Sequence, residues 1–173
     1  MPKVDCVSTN CVGGVTMNGV TYEEYWGADA MPQGALAKWA RACSDDEQFL
    51  KIRRVDELRA ATVVVVAWIG VEAVGFGAMF PSGVSPMLLI AGGDFVDVLN
   101  RREHIWENIS RYRISIARRY GWGLVSVSHN PAVINGLERR IGAKRLDWAW
   151  LRDTLGVKPH QSVMVLPPEA KDK

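Results

Sequence analysis

Two polar side chains in this sequence follow apolar runs closely enough to act as a general base at the end of a strand. Asp94 comes after the run Met87–Ala91, and His129 comes after the alternating run Leu124–Ser128. A carboxylate or a neutral imidazole can take up a proton from a reacting group, provided that it lies within hydrogen-bond reach of that group. We therefore treat Asp94 and His129 as catalytic candidates. Asp94 also fits a plain turn, because two glycines precede it.

His104 could bind a phosphate group or act as a base, or it could simply lie at the surface or in the core. The three histidines show no metal-ligand spacing, and Cys6 and Cys11 lack the second pair of ligands that a zinc site needs. The sequence therefore predicts no metal centre.

The bulk composition limits the class of protein. The chain has 173 residues, of which 48% are hydrophobic, which is enough for the core of one domain. Its formal net charge of +2 is close to neutral, which argues against a dedicated nucleic-acid binder. No apolar run approaches the roughly 20 residues that a membrane helix needs. The N-terminus shows no secretory signal. We therefore expect a protein that neither spans a membrane nor leaves the cell through a signal peptide.

The densest set of agreeing structural signals lies at residues 124–145. An alternating strand is followed by an Asn130-Pro131 break, a short helix and Gly142, which ends that helix. The apolar positions of the helix repeat at helical spacing and are Ile134, Leu137 and Ile141. Strand, break, helix and stop together predict a compact strand–turn–helix unit.

The remaining pattern predicts an α+β fold, a mixed sheet with helices on both faces. Further strands are predicted at residues 62–69, 73–80, 87–91, 146–151 and 162–166, and further helices at residues 32–43 and 100–120. Gly92-Gly93-Asp94 should break the strand at residues 87–91. The strand–helix–strand run over residues 87–128 should be a parallel crossover. The arginines of the long helix, Arg111, Arg113, Arg118 and Arg119, are assigned to its solvated face, with a binding patch as the alternative.

Three segments are expected along the chain. Residues 1–31 form an N-terminal arm, or a hairpin that turns at Asn18-Gly19. Residues 32–166 form the main domain, and residues 167–173 form a polar tail.

This order of elements, with its Asn-Pro break and glycine stop, resembles the GNAT acetyltransferase superfamily. The resemblance implies a mixed sheet in which two central parallel strands splay apart, with acetyl-CoA in the gap. By that likeness Asn130 and Gly142 match residues of the family's second motif, and Asn130 would contact acetyl-CoA. The backbone of Leu89, Ile90 and Ala91 would hold the pantetheine arm, Arg101 and Arg102 the phosphates, and Asp94 or His129 would be the base.

The sequence departs from the family pattern at two places. No glycine-rich loop opens the long helix, because residues 99–106 contain no glycine. The Trp106 side chain would crowd a pyrophosphate at this position. Leu137 falls where a tyrosine often acts as general acid, and the second motif is one residue longer than the common pattern. Both departures predict a weakened acetyl-CoA site.

Residues 62–150 also resemble the GNAT-like internal virion proteins of short-tailed bacteriophages. That narrower likeness implies a structural or assembly role in a virion or in a host cytoplasm, with other virion proteins or further copies of the chain as partners. The alternative is an acetyl-CoA-dependent N-acetyltransferase acting on an amine acceptor. The seven tryptophans are assigned mainly to core or subunit interface, with a binding platform as the alternative.

Overall fold

The structure divides into two compact units. A computed structural model describes residues 13–45, 58–101 and 104–167. The first unit contains the residues up to Met79 together with Gly93–Ile109. The second unit contains Phe80–Gly92 together with the residues from Ser110 onwards. The elements form a mixed sheet flanked by helices, which confirms the predicted α+β class.

The first unit is built on antiparallel strands in sequence order. These are β1 (Gly13–Met17), β2 (Val20–Trp26), β3 (Val63–Ile69) and β4 (Glu72–Pro81), the last of which ends in the second unit. The turn between β1 and β2 is the predicted Asn18-Gly19 pair, with φ of 52° and 78°. Positive φ at both positions matches the right-handed twist of the strands. Residues 13–26 are therefore a hairpin rather than an arm.

Strand β3 lies at the centre of this antiparallel group. It pairs with β2 on one side and with β4 on the other. Val63–Trp68 are each at most 5% exposed, which confirms the predicted burial on both faces. A run of β-branched residues suits such a site, because their side chains pack well on a pleated surface.

Helix α1 (Gln33–Asp45) is held in the first unit by its Lys38 and Trp39 side chains. The Trp39 ring is fully buried and stacks on Phe76, with ring centroids 5.9 Å apart. Lys38 Nζ lies 3.1 Å from a Glu72 carboxylate oxygen and 3.0 Å from one of Asp97. Burial is the largest single influence on the pKa of Lys38 and lowers it, but the hydrogen bonds and charges of Asp97 and Glu72 together raise this pKa above its ordinary value.

Strand β5 (Leu88–Val96) is longer than the sequence predicts. It runs through Gly92, Gly93 and Asp94, so the predicted break there is wrong. Gly93 has a φ of 65°, which a glycine adopts without steric cost, and the strand therefore continues past an irregular residue. The long helix, α2 (Ile105–Arg119), starts five residues later than predicted, after a 3₁₀ turn at Val98–Asn100.

The second unit places β5 beside three further strands in the order β5-β6-β8-β7. Its remaining elements are β6 (Gly123–Ser128), α3 (Pro131–Gly136), β7 (Lys144–Leu146), α4 (Ala149–Thr154) and β8 (Ser162–Val165). Strands β5 and β6 are parallel, as predicted, and Gly121, with a φ of 70°, follows the end of α2.

The strand predicted at residues 146–151 is wrong. Its alternating apolar pattern is divided between the end of β7 and helix α4. Leu151 is buried, but Trp148 and Trp150 are 56% and 57% exposed, so the two indoles that made the pattern look like a half-buried strand do not enter the core. Among the described residues, no helix is long and apolar enough to cross a bilayer.

Replacing Gly75 by alanine should destabilise the protein, because the new methyl group has no room. An ideal Cβ at this position would lie 2.9 Å from Ile105 Cγ2 and 3.3 Å from the Phe95 carbonyl oxygen. We expect Gly75→Ala to lower the free energy of unfolding by about 1–3 kcal/mol, measured by urea denaturation. Gly34→Ala, at a site in α1 with nothing within 4 Å, is the control and should be neutral or stabilising. Equal effects of the two substitutions would contradict the close packing at Gly75.

Lys38→Met should reveal a pH-dependent contribution to stability. Because the folded-state pKa of Lys38 is raised, the ion pairs stabilise the fold below the unfolded-state pKa and are lost as pH rises through the folded-state pKa. We expect a loss of about 1 kcal/mol at neutral pH that shrinks above roughly pH 10.5. Lys158→Met, at an exposed lysine, is the control. A difference from the wild type that stayed constant to pH 11 would show that the charge of Lys38 contributes nothing.

Candidate functional site

The central feature of the site is the place where the parallel ladder between β5 and β6 ends. The ladder runs from Leu88–Gly123 to Ala91–Ser126. Both strands continue beyond it, and β6 pairs with β8 along its other edge from Val125 to Ser128. In the described part of the chain, the β5 side of β6 therefore carries peptide groups past Ser126 that the parallel ladder does not use.

The predicted pantetheine-binding residues lie just before this opening. Leu89, Ile90 and Ala91 are the last three residues of β5 in the ladder. Their backbone groups alternate in direction, so part of them is taken up by pairing with β6. Gly92 directly follows the paired section of β5 and still belongs to the second unit. Direct contact between these residues and a cofactor stays a prediction.

A buried arginine holds the backbone at the opening. Arg113 on α2 is 1% exposed, so its assignment to the solvated face is wrong. Its Nη1 donates to the Gly92 carbonyl oxygen at 3.4 Å, and its Nη2 donates to Ser110 Oγ at 3.3 Å. A buried guanidinium requires such acceptors, because desolvation of an unpaired charge is costly. Arg113 therefore holds Gly92, the residue that directly follows the paired section of β5.

The two candidate bases lie in different units. Asp94, in the first unit, is a strand residue rather than a turn residue, and its Oδ2 accepts a hydrogen bond from Trp106 Nε1 at 3.0 Å. His129, in the second unit, directly follows β6 and is exposed. Neither catalytic role is tested by these contacts, and both stay predictions.

His160 is a neighbour of His129 that the sequence does not single out. The two imidazole rings lie with centroids 5.8 Å apart and planes at 74°. Antiparallel pairing of Ser128 with Ser162 brings them together, although they are far apart in sequence. No local spacing could have revealed this pair, because it depends on which strand lies beside β6.

Asn130 has a clear structural function. Its Oδ1 accepts a hydrogen bond from the Ala132 backbone N–H at 2.9 Å, and Pro131 stands at the first helical position. Asn130 N–H in turn donates to Ser128 Oγ at 3.1 Å. These contacts form an N-cap that fixes where the chain leaves β6. The predicted contact between Asn130 and a cofactor stays a prediction.

A π-helical turn follows α3. This turn spans Leu137–Ile141, and Gly142 ends it with a φ of 80°. Such turns are rare and usually short. Ile134, Leu137 and Ile141 are all at most 7% exposed, as their spacing predicts. Leu137 is thus a core residue and has no proton to donate.

Two carboxylates, neither of which was predicted to be functional, are fully buried in β2. Glu23 and Glu24 are both 0% exposed, and the Tyr25 hydroxyl donates to Glu23 Oε2 at 2.5 Å. Charged residues inside the run Val20–Trp26, which is otherwise rich in β-branched and aromatic residues, were the available signal. Burial of a carboxylate is tolerated only with hydrogen-bond partners, so these residues specify the packing of the first unit.

The start of α2 differs from a phosphate-binding helix terminus. His104 precedes the helix with a φ of 55°, and its Nδ1 lies 3.5 Å from Glu107 Oε2. The Glu107 side chain is only 8% exposed and stands in the first turn, where it complements the helix dipole and repels an anion. Arg101 is exposed and donates from Nε to the Val96 carbonyl at 3.3 Å, whereas Arg102 lies outside the described residues.

Acetyl-CoA therefore fits this structure in part. The end of the β5–β6 ladder leaves backbone groups that suit the amides of a pantetheine arm. The start of α2 does not suit a pyrophosphate, because a buried carboxylate stands in its first turn. Among the described residues, no three His, Cys, Asp or Glu side chains come together as metal ligands.

Comparison with known proteins reveals similarity in structure and not in sequence. No protein-family profile and no curated protein sequence matches the chain. An acyl-CoA N-acyltransferase from Pseudomonas aeruginosa is 12% identical with a TM-score of 0.62, and the match covers 86% of this chain and 99% of that one. A Desulfovibrio desulfuricans protein assigned to the GNAT family is 11% identical with a TM-score of 0.57, over 85% and 96% of the two chains.

A third solved structure, from Mycobacterium tuberculosis, contains CoA. It is 12% identical with a TM-score of 0.55, over 83% of this chain and 97% of that one. Nothing in the comparisons links the chain to bacteriophage virion proteins, so that resemblance stays a prediction. Identities this low establish architecture alone. The chain has the fold of the GNAT acyltransferases.

Proposed function

We propose that this protein is an N-acyltransferase that transfers an acyl group, such as acetyl, from a CoA thioester to an amine. One observation carries the proposal: the parallel ladder ends at Ala91–Ser126 while β6 continues. The shared fold supports it, since the matched structures include an acyl-CoA N-acyltransferase and a complex with CoA. Fold alone does not determine activity, so the proposal depends on residues at this opening.

The backbone at the opening is the element that would hold the donor. Leu89, Ile90, Ala91 and Gly92 offer peptide groups along β5, and Arg113 keeps Gly92 in place through its carbonyl. Arg101 and Arg102 are the candidates for the phosphates. The bound thioester supplies an electrophilic carbonyl carbon. Orientation of the amine toward that carbon would supply much of the rate, because a positioned pair reacts as a unimolecular system.

His129 is the base that we favour. It follows β6 directly beyond the opening, and His160 lies edge-on to its ring. A neutral imidazole can accept the proton of the amine near neutral pH. The resulting imidazolium can return a proton to the departing sulfur, which the buried Leu137 cannot do. Asp94 is the alternative base.

A second candidate function is the structural or assembly role in a virion. One observation favours a non-catalytic protein: the buried Glu107 carboxylate stands in the first turn of α2, where the family binds pyrophosphate. Under this alternative the chain keeps the GNAT fold without binding the donor. Binding of acetyl-CoA separates the two functions.

Titration with acetyl-CoA is the first test. We expect saturable binding by isothermal calorimetry and a rise in melting temperature, since ligand binding to the native state stabilises it. Acetyl-pantetheine, which lacks the nucleotide, should bind within about tenfold of acetyl-CoA, because the start of α2 contributes little to pyrophosphate binding. Absence of binding to either compound would contradict the acyltransferase function and favour the structural role.

Substitution of the candidate bases is the second test. With a panel of primary amines, from polyamines to lysine peptides, His129→Gln should reduce the release of free thiol at least about a hundredfold. Asp94→Asn and Asp147→Asn should retain activity, the latter as an exposed control. A loss in Asp94→Asn alone would move the base to Asp94, and full activity in all three variants would show that neither residue is the base. Binding of acetyl-CoA in each variant controls for folding.

A further inference from the structure

A cavity in the second unit is not explained by the proposed reaction. It has a volume of about 370 Å³ and lies between the C-terminal turns of α2, the first residues of β5 and β6, and helix α4. Its lining is almost entirely apolar and includes Ile114, Ala117, Leu124, Trp122, Trp148 and Trp150. This volume falls within the range of small-molecule pockets, about 300–1,000 Å³.

The cavity is separate from the proposed catalytic site. Gly123 and Leu124, which line it, begin strand β6, whereas Ser128 and His129 stand at the opposite end of that strand. Four strand residues from Leu124 to Ser128 span about 13 Å. A molecule in the cavity therefore contacts none of the residues that the acyl transfer uses.

The walls of the cavity are already formed. Leu124, Val125, Leu151 and Leu166 are each at most 4% exposed, so they are fixed by packing in the unit. Trp148 and Trp150 flank the opening and are more than half exposed, with their rings stacked 6.0 Å apart at 24°. A pair of large aromatic rings beside a formed apolar cavity offers contact area at a low entropic cost.

Water is a poor occupant of this space. A bound water molecule needs about two to four polar partners, and the lining supplies few. Displacement of such weakly held water by apolar groups is favourable.

The single ionisable side chain among the described lining residues is Arg118. It stands near the C-terminus of α2 and is exposed, so a ligand with its apolar part in the cavity could present an anionic group to this guanidinium. We propose that the cavity binds a small aliphatic carboxylate, with its chain against Trp148 and Trp150 and its carboxylate at Arg118.

Titration with decanoate and with decanol tests this proposal directly. Tryptophan fluorescence and calorimetry should show saturable binding of decanoate to the full chain. Trp148→Ala should weaken binding of both compounds at least tenfold. Arg118→Met should weaken decanoate at least fivefold and leave decanol unchanged. Leu99→Ala, which removes an equally large exposed apolar side chain outside the cavity, is the control.

Ala117→Met fills the cavity from the α2 side and should abolish binding of both compounds, with circular dichroism to confirm folding. Undiminished decanoate binding in Trp148→Ala or Ala117→Met, or no saturable binding in the wild type, would overturn the proposal. So would a dimer in sedimentation that Trp148→Ala dissociates and decanoate leaves intact, since the face would then join two copies. Acetyl-CoA binding measured in the same variants keeps this result separate from the acyltransferase proposal.

Discussion

The structure depends on one constraint, the limited length of the parallel ladder between β5 and β6. Pairing ends at Ala91–Ser126 although both strands continue, and the backbone groups past that point must find other partners. The Gly92 carbonyl is bound by Arg113, and the Gly93 carbonyl accepts a hydrogen bond from the buried Trp39 indole at 3.1 Å. Gly93, with its positive φ, allows the chain to continue to Val96 rather than turn away.

Buried polar groups specify the two units more sharply than their apolar cores do. Arg113 in the second unit and Glu23 and Glu24 in the first are at most 1% exposed. An apolar core tolerates repacking, whereas a buried charge is stable only when its partners stand at the right distance and angle. The Nη1 and Nη2 groups of Arg113 donate to a backbone carbonyl and to a serine of its own helix. These two hydrogen bonds tie Gly92, at the end of the ladder, to α2.

The second unit combines two different environments along strand β6. At its C-terminal end, the His129–His160 pair lies in an exposed region. At its N-terminal end lies an apolar cavity bordered by exposed indoles. Beyond the strand and its Asn130 cap, the π turn at Leu137–Ile141 places Leu137 in the core. Burial of this apolar side chain stabilises the turn.

The sequence by itself determined the features that depend on neighbouring residues. The Asn18-Gly19 turn, the fully buried β3, the Asn130 cap and the Gly142 stop were all predictable, because turn chemistry and periodicity act over a few positions. From these local signals came the α+β class, the parallel crossover and the likeness to the GNAT fold. Asp94 and His129 were found from their places after apolar runs, and Asn130 from its likeness to the family's second motif.

Only the tertiary structure decided which of these residues meet distant partners. Arg113 is buried because α2 places it against Gly92. Strand β5 continues through its glycines because side chains bind their carbonyl groups. His160 lies beside His129 because β8 pairs with β6. The tryptophans at 148 and 150 alternate as in a strand but flank a cavity, since α4 forms there instead. Burial and pairing are set by contacts between residues far apart in sequence, and no local pattern encodes them.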